Sequence, residues 1–199
     1  IARYADTARR FREKKFFNDE QATNAKLELA SGWNYNIRLK PGEGIDVTAD
    51  TLNSVLRWTL RGAGQHFIDA GKMYGIQPRF LAAISMHETG NGTSPKSQTG
   101  NLMGISNNAG AIDYSDKSAV LSYFSSRGLK HHEEKWTYAS IYDQAYKLSN
   151  YEPYQGKNTL AEVQSVYAPT PKGWTVQNDS RNLNRFWTWK VTEWMSKIW

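Results

Sequence analysis

Phe80-Leu81-Ala82-Ala83-Ile84-Ser85-Met86-His87-Glu88-Thr89-Gly90-Asn91-Gly92-Thr93-Ser94 carries an apolar run directly into a polar, glycine-rich one. At helical spacing Leu81, Ile84 and Glu88 share one face, flanked by Phe80 and Ala83. The pattern predicts a helix opened by Pro78 and ended at Glu88, with the carboxylate on the stripe that faces the core. Burial disfavours the ionised form, and the negative end of the helix dipole acts in the same direction. A carboxylic acid still protonated near neutral pH is what a general acid must be, so Glu88 is the first candidate for chemistry.

Working outward, the compact domain is expected to begin at Thr48 and run to the end of the chain, over residues 48–199. Asp50 is the expected N-cap of a helix carrying Leu52, Val55, Leu56 and Leu60. A second helix spans Gln65 to Tyr74 with Phe67, Ala70, Gly71 and Tyr74 inward, and Gly75 closes it. After the Glu88 helix, Thr89 to Ser115 reads as loop, with at most a small hairpin between Asn101 and Tyr114. Helices resume from Asp116 to Arg127, from Trp136 to Leu148 and from Leu160 to Tyr167. A last helix, Leu183 to Trp199, places Trp187, Val191, Trp194 and Ile198 on one stripe, read as core. Residues 1–47 form an appendage or connector, with a charged helix from Ala5 to Ala30 and a Gly/Pro loop up to Val47. The expected fold class is mainly α.

The chain has 199 residues, enough for one domain with a real core, and a formal net charge of +6. Its pI near 9.4 points to anionic partners such as nucleic acid, an anionic membrane or the polyanions of a bacterial wall. The densest basic pairs, Arg9-Arg10 and Lys14-Lys15, are too few for a nucleic-acid arm, and no nucleic-acid partner is expected. Cysteine is absent, which excludes disulfides, thiol catalysis and Cys-ligated metal. No apolar run reaches the ~18 residues of a membrane span, and no signal-peptide core is present. Because the chain starts at Ile1, it is expected to be a processed product or an excised domain.

Other motifs fail on geometry. His87-Glu88-Thr89-Gly90-Asn91 begins like a zinc-protease helix, but Asn91 stands where the second His must be. His131-His132-Glu133-Glu134 reads as a solvated face, since adjacent histidines on a helix point apart. No nucleophile elbow, Walker loop or dinucleotide fingerprint occurs. No metal and no cofactor is expected. What remains is carboxylic acid chemistry of the kind used in glycoside hydrolysis, where an acid protonates the leaving oxygen and a second group stabilises or attacks the oxocarbenium-like centre.

Three runs in order now carry a resemblance: Gly64-Gln65-His66-Phe67-Ile68-Asp69-Ala70-Gly71-Lys72-Met73-Tyr74-Gly75-Ile76, then Leu81 to Ser94 with His87-Glu88-Thr89-Gly90, then Asn101-Leu102-Met103-Gly104-Ile105. Together they resemble the endo-β-N-acetylglucosaminidase family of bacterial wall autolysins and phage lysins, glycoside hydrolase family 73. The resemblance spans about residues 50 to 195. It implies a lysozyme-like α-lobe with a small, shortened β-hairpin lobe, and hydrolysis of the glycan strands of peptidoglycan outside the cytoplasm, in the wall or on a virion. It assigns the catalytic acid to Glu88 and a helper tyrosine to Tyr167, in Val166-Tyr167-Ala168-Pro169 ahead of Asn178-Asp179. Asn101 and Gly104 would shape the cleft floor, with Tyr114 a further substrate contact.

One departure bears on mechanism. Many members of that family carry a longer hairpin that supplies a second carboxylate. Here about ten residues separate Ile105 from Tyr114-Ser115-Asp116, and Asp113 and Asp116 are the nearest acids. Asp113 is the expected second acid, Asp116 being equally explained as an N-cap. If neither serves, the alternatives are the substrate's own 2-acetamido group as internal nucleophile or a weakly activated ordered water. The same fold could also act as a muramidase or lytic transglycosylase, or persist as a non-catalytic wall-binding or virion module.

Overall fold

The computed structural model describes residues 35–39, 44–45, 47–105, 112–129, 133–169 and 187–198. The expected Ala5–Ala30 helix, His131-His132, Asn178-Asp179 and the middle of the expected hairpin lie outside these residues. Among the described residues the fold is mainly α, as expected: α1 (Ala49–Val55), α2 (Gly64–Tyr74), α3 (Pro78–Thr89), α4 (Pro95–Gln98), α5 (Lys117–Ser126), α6 (Ala139–Asn150), α7 (Leu160–Tyr167) and α8 (Trp187–Met195). Short 3-10 turns lie at Trp58–Leu60, Glu133–Tyr138 and Glu152–Tyr154.

The centre of the molecule is α3. Phe80, Leu81, Ala82, Ala83 and Ile84 are all fully buried, and α8, α2, α4 and α6 pack around the helix. Each large apolar side chain removed from water here contributes about 1.5–3 kcal/mol. Pro78 occupies the first turn, where its missing N–H has no partner to lose, and Gly90 ends the helix in the left-handed region at φ 58°. Thr89 then turns inward: its hydroxyl donates to Ser85 O at 2.6 Å and accepts from the Gly92 N–H at 2.8 Å. The Asn91 side chain ties this loop back to α1 by accepting from Arg57 N and donating to Val55 O.

Several boundaries differ from expectation. Thr48, not Asp50, caps α1, its hydroxyl accepting from Thr51 N. The helix stops at Val55 instead of continuing to Leu60, because Leu56 and Arg57 are extended. Ser94 caps a short helix, α4, inside the expected loop. The start of α5 is where the sequence placed it, Asp116 accepting from both Ser118 N and Ala119 N. The segment around Trp136 is a 3-10 turn that becomes α-helix only at Ala139.

No strand occurs among the described residues, and 101–105 and 112–116 are turn and coil. Two isolated antiparallel bridges, Asn36 with Thr159 and Arg38 with Ile76, instead lay the 35–39 segment on the body. Ile37 within it is completely buried, so the packed body takes in residues N-terminal to position 48. Arg38 reaches across to donate to Tyr154 O at 2.9 Å and Lys157 O at 3.0 Å.

Candidate active site

The last turn of α3 delivers His87 and Glu88 to an open cleft of about 690 Å³. The other walls come from Gly104 and Ile105, from the C-terminal half of α6 and the turn after it, and from Tyr167 and Trp187. Glu88 is only half-buried as a residue, yet its carboxyl lies deep enough for burial to raise its pKa above the ordinary value. Two smaller effects oppose that rise: a hydrogen bond from Trp187 and the charge of Lys96. The indole Nε1–H of Trp187 donates to Glu88 Oε1 at 3.1 Å.

Gly104 forms the other side of the carboxyl's surroundings. At φ +63° it adopts a conformation that L side chains rarely take, and a Cβ there would stand 2.7 Å from Glu88 Cβ and 3.0 Å from Oε2. The backbone can approach the acid this closely only as glycine. The loop holding Gly104 is pinned from four directions. Ser85 Oγ of α3 donates to Leu102 O, and Ser140 Oγ of α6 accepts from Leu102 N while donating to Gly100 O. Asn101 closes the loop on itself, accepting from Ile105 N at 2.9 Å and donating to Ile105 O at 2.7 Å. The Tyr167 hydroxyl donates to Met103 O at 3.1 Å.

Tyr167 also packs its ring against Trp187, centroids 4.9 Å apart. Burial and the neighbouring Glu88 charge hold its hydroxyl well above the usual tyrosine range, so it stays a neutral phenol. Beside the acid, burial and the charge of Lys190 lower His87 to about 4, which leaves a neutral imidazole in the cleft wall at pH 7.

The remaining sequence candidates are placed differently. Asn101 is buried and both ends of its amide are engaged by Ile105, so it shapes the loop and presents nothing to the cleft. Tyr114 is 4% exposed, with its hydroxyl donating to Asp143 Oδ2 at 2.5 Å. It anchors the start of α5 to α6 rather than lining the cleft. Asp113 is exposed and its Oδ1 accepts from both Ser115 N and Ser115 Oγ, which lowers its pKa. It does not line the cleft with Glu88.

Three further residues in or behind the cleft walls were not among the sequence candidates. Trp187 sits on a stripe read as core and is indeed 2% exposed, yet it is the donor to Glu88. Asp143 is fully buried on α6, accepting from Tyr114, from Tyr123 at 3.2 Å and from Lys147 Nζ at 2.7 Å. An Asp four residues before a Lys within the apolar pattern of Ile141, Tyr142 and Ala145 is the signal that marks it. Glu152, two residues beyond the end of α6, supplies the second carboxylate of the cleft wall, and no local pattern announces it.

A carboxyl whose pKa is raised by burial in the wall of an open cleft is suited to hand a proton to a leaving group bound there. Among the described residues no group of three His, Asp or Glu side chains is placed to hold a metal ion, and no helix is long and apolar enough to cross a membrane. No curated protein sequence matches the chain. Among solved structures, S. aureus autolysin E in complex with the muropeptide NAM-L-Ala-D-iGlu is similar with a TM-score of 0.49 and 20% sequence identity, over 86% of this chain and 76% of that one. The family described as mannosyl-glycoprotein endo-beta-N-acetylglucosaminidase matches residues 64–197, from the start of α2 through α8 and so across every wall of the cleft, and the chain belongs to that family.

Proposed function

We propose that this glycoside hydrolase cuts the glycan strand of bacterial peptidoglycan on the reducing side of N-acetylglucosamine, outside the cytoplasm, with Glu88 as general acid. The observation that carries the reading is the Glu88 carboxyl itself: raised by burial, held by Trp187 and closely approached by Gly104 in an open cleft. Family membership supplies the glycosidic bond as the target. A lysozyme-like reading of the helical body fits an extended strand lying in that cleft.

In this reading Glu88 protonates the glycosidic oxygen as the bond from the anomeric carbon breaks. With Asp113 exposed and engaged by Ser115, the 2-acetamido oxygen of the cleaved sugar is the better candidate to attack the anomeric carbon. The resulting oxazolinium is opened by water, whose proton returns to the Glu88 carboxylate. Tyr167, a neutral phenol near Glu88 whose O–H donates to Met103 O, orients the acetamido group or the water by accepting from its N–H or O–H. The excess positive charge would hold the enzyme to anionic wall polymers.

The test is digestion of purified Gram-positive peptidoglycan, followed by borohydride reduction and mass spectrometry of the fragments. Wild type should release reduced N-acetylglucosamine ends, and Glu88→Gln should lower their rate by roughly 10²–10⁴-fold. Reduced muramic or anhydromuramic ends would move the bond and overturn the glucosaminidase assignment. Undiminished release by Glu88→Gln would remove Glu88 from the chemistry.

A further inference from the structure

Three large hydrophobic side chains stand exposed among the described residues: Trp58, Met73 and Tyr151. Of these only Tyr151 lines the Glu88 cleft. Its neighbours in the wall behave differently, Tyr154 being 8% exposed and Trp187 2%, whereas Tyr151 leaves 56% of its surface in solvent. An isolated exposed aromatic carries no meaning by itself. One fixed in the wall of a glycosidase cleft and flanked by exposed hydroxyl partners is a different arrangement.

The backbone that carries the ring is fixed on both sides. The Tyr151 N–H donates to Lys147 O at 2.9 Å, and Tyr151 O accepts from Tyr154 N at 2.9 Å. The ring leans on that of Tyr154, centroids 6.1 Å apart and tilted 58°. Tyr154 is in turn held from below, its carbonyl accepting from Arg38. The backbone at Tyr151 is relaxed, with φ −73° and ψ 126°, so the exposure does not result from strain. Asn150 and Glu152, both exposed, lie on either side of it in the same wall.

A pyranose presents a face of C–H groups and a rim of hydroxyls. The first matches a flat aromatic surface, and the second matches planar amide and carboxylate groups. We infer that Asn150, Tyr151 and Glu152 form a sugar subsite, in which the Tyr151 ring stacks on one pyranose of the bound strand and Asn150 and Glu152 hydrogen-bond its hydroxyls. The inference rests on the glycan-strand reading above and names the residues that hold the strand rather than cut it.

Binding in a background that does not depend on cleavage tests it. Peptide-free glycan strands, prepared by amidase digestion of peptidoglycan, are titrated into Glu88→Gln and into double variants with Tyr151→Ala, Tyr151→Leu, Tyr151→Phe or Glu152→Gln. Tyr151→Ala should weaken Kd about tenfold, Tyr151→Leu nearly as much, and Glu152→Gln about threefold. Tyr151→Phe, which keeps the ring, should stay within twofold of the parent. Equal affinity for Tyr151→Ala overturns the subsite, as does a loss that appears only when strands still carry their peptides, or the absence of any strand binding by Glu88→Gln. If wild type releases no sugar ends but Glu88→Gln binds strands through Tyr151, the hydrolytic reading fails and the subsite stands.

Discussion

At the scale of single residues, the state of Glu88 follows from burial, the Trp187 hydrogen bond and the charge of Lys96, and each effect has a sign. Burial raises its carboxyl pKa in the folded protein, so the fold binds this proton more tightly than the unfolded chain does. Stability tied to the group is then undisturbed below the unfolded value, falls as pH rises toward the folded value, and stays lowered above it. Glu88→Gln removes that loss. Its Tm should exceed that of wild type at pH 8 and converge with it near pH 4 in scanning calorimetry. The Trp187 hydrogen bond favours the ionised form, so Trp187→Phe should raise the Glu88 pKa further and move the alkaline limb of the kcat/KM profile to higher pH. Gly104→Ala brings a methyl to 2.7 Å from Glu88 Cβ at a positive φ. The left-handed conformation alone costs about 1–2 kcal/mol for a non-glycine residue, and displacement of the acid should lower kcat by at least tenfold in the same fragment assay.

At the scale of elements, the site depends on α3 stopping where it does and on the 100–105 loop staying where Ser85 and Ser140 hold it. Ser140→Ala leaves Leu102 N and Gly100 O without their partner in a buried setting, which costs about 1–3 kcal/mol by urea unfolding. Activity should fall with it through the loop. Asp143→Ala strips a buried carboxylate from two tyrosines and Lys147, and the buried Tyr114 hydroxyl left without its acceptor costs about 1–3 kcal/mol. The helices themselves were largely legible. Pro78, Gly75 and Gly90 punctuate α2 and α3, and Thr159 with Glu162 closes a capping box that fixes the start of α7. The glycine and serine of the 89–115 stretch hid α4, although Ser94-Pro95 is a start signal in its own right. Apolar periodicity identified the buried face of α8, but a period does not say which heteroatom on that face meets a carboxylate from another helix. Asn101 and Tyr114 stood in the right loop, and only three-dimensional packing decides that both engage the protein's own groups. Tyr151 and Glu152 left no trace in sequence because only the fold brings their short turn into one cleft with Glu88, more than sixty residues away in the chain.

At the scale of the whole molecule, the net charge of +6 sets how the protein meets a polyanionic surface. Raising salt from about 0.1 M to about 1 M shortens the Debye length from about 10 to about 3 Å. The fraction pelleting with intact walls should fall several-fold, while hydrolysis of soluble strand fragments changes less than twofold. The 35–39 segment makes the cleft a property of the full body, since Arg38 braces the turn that carries Tyr151 and Glu152. The hydrogen bond between Trp187 and Glu88 spans 99 positions of chain. During synthesis Glu88 is therefore made before its indole partner, and this hydrogen bond forms only once α8 has emerged and docked. A nascent or nicked chain ending short of Trp187 carries every other candidate group of the cleft and still lacks the donor that holds its acid. Docking of α8 thus completes the polar surroundings of the Glu88 carboxyl, and the cleft has all its walls only once that helix is in place.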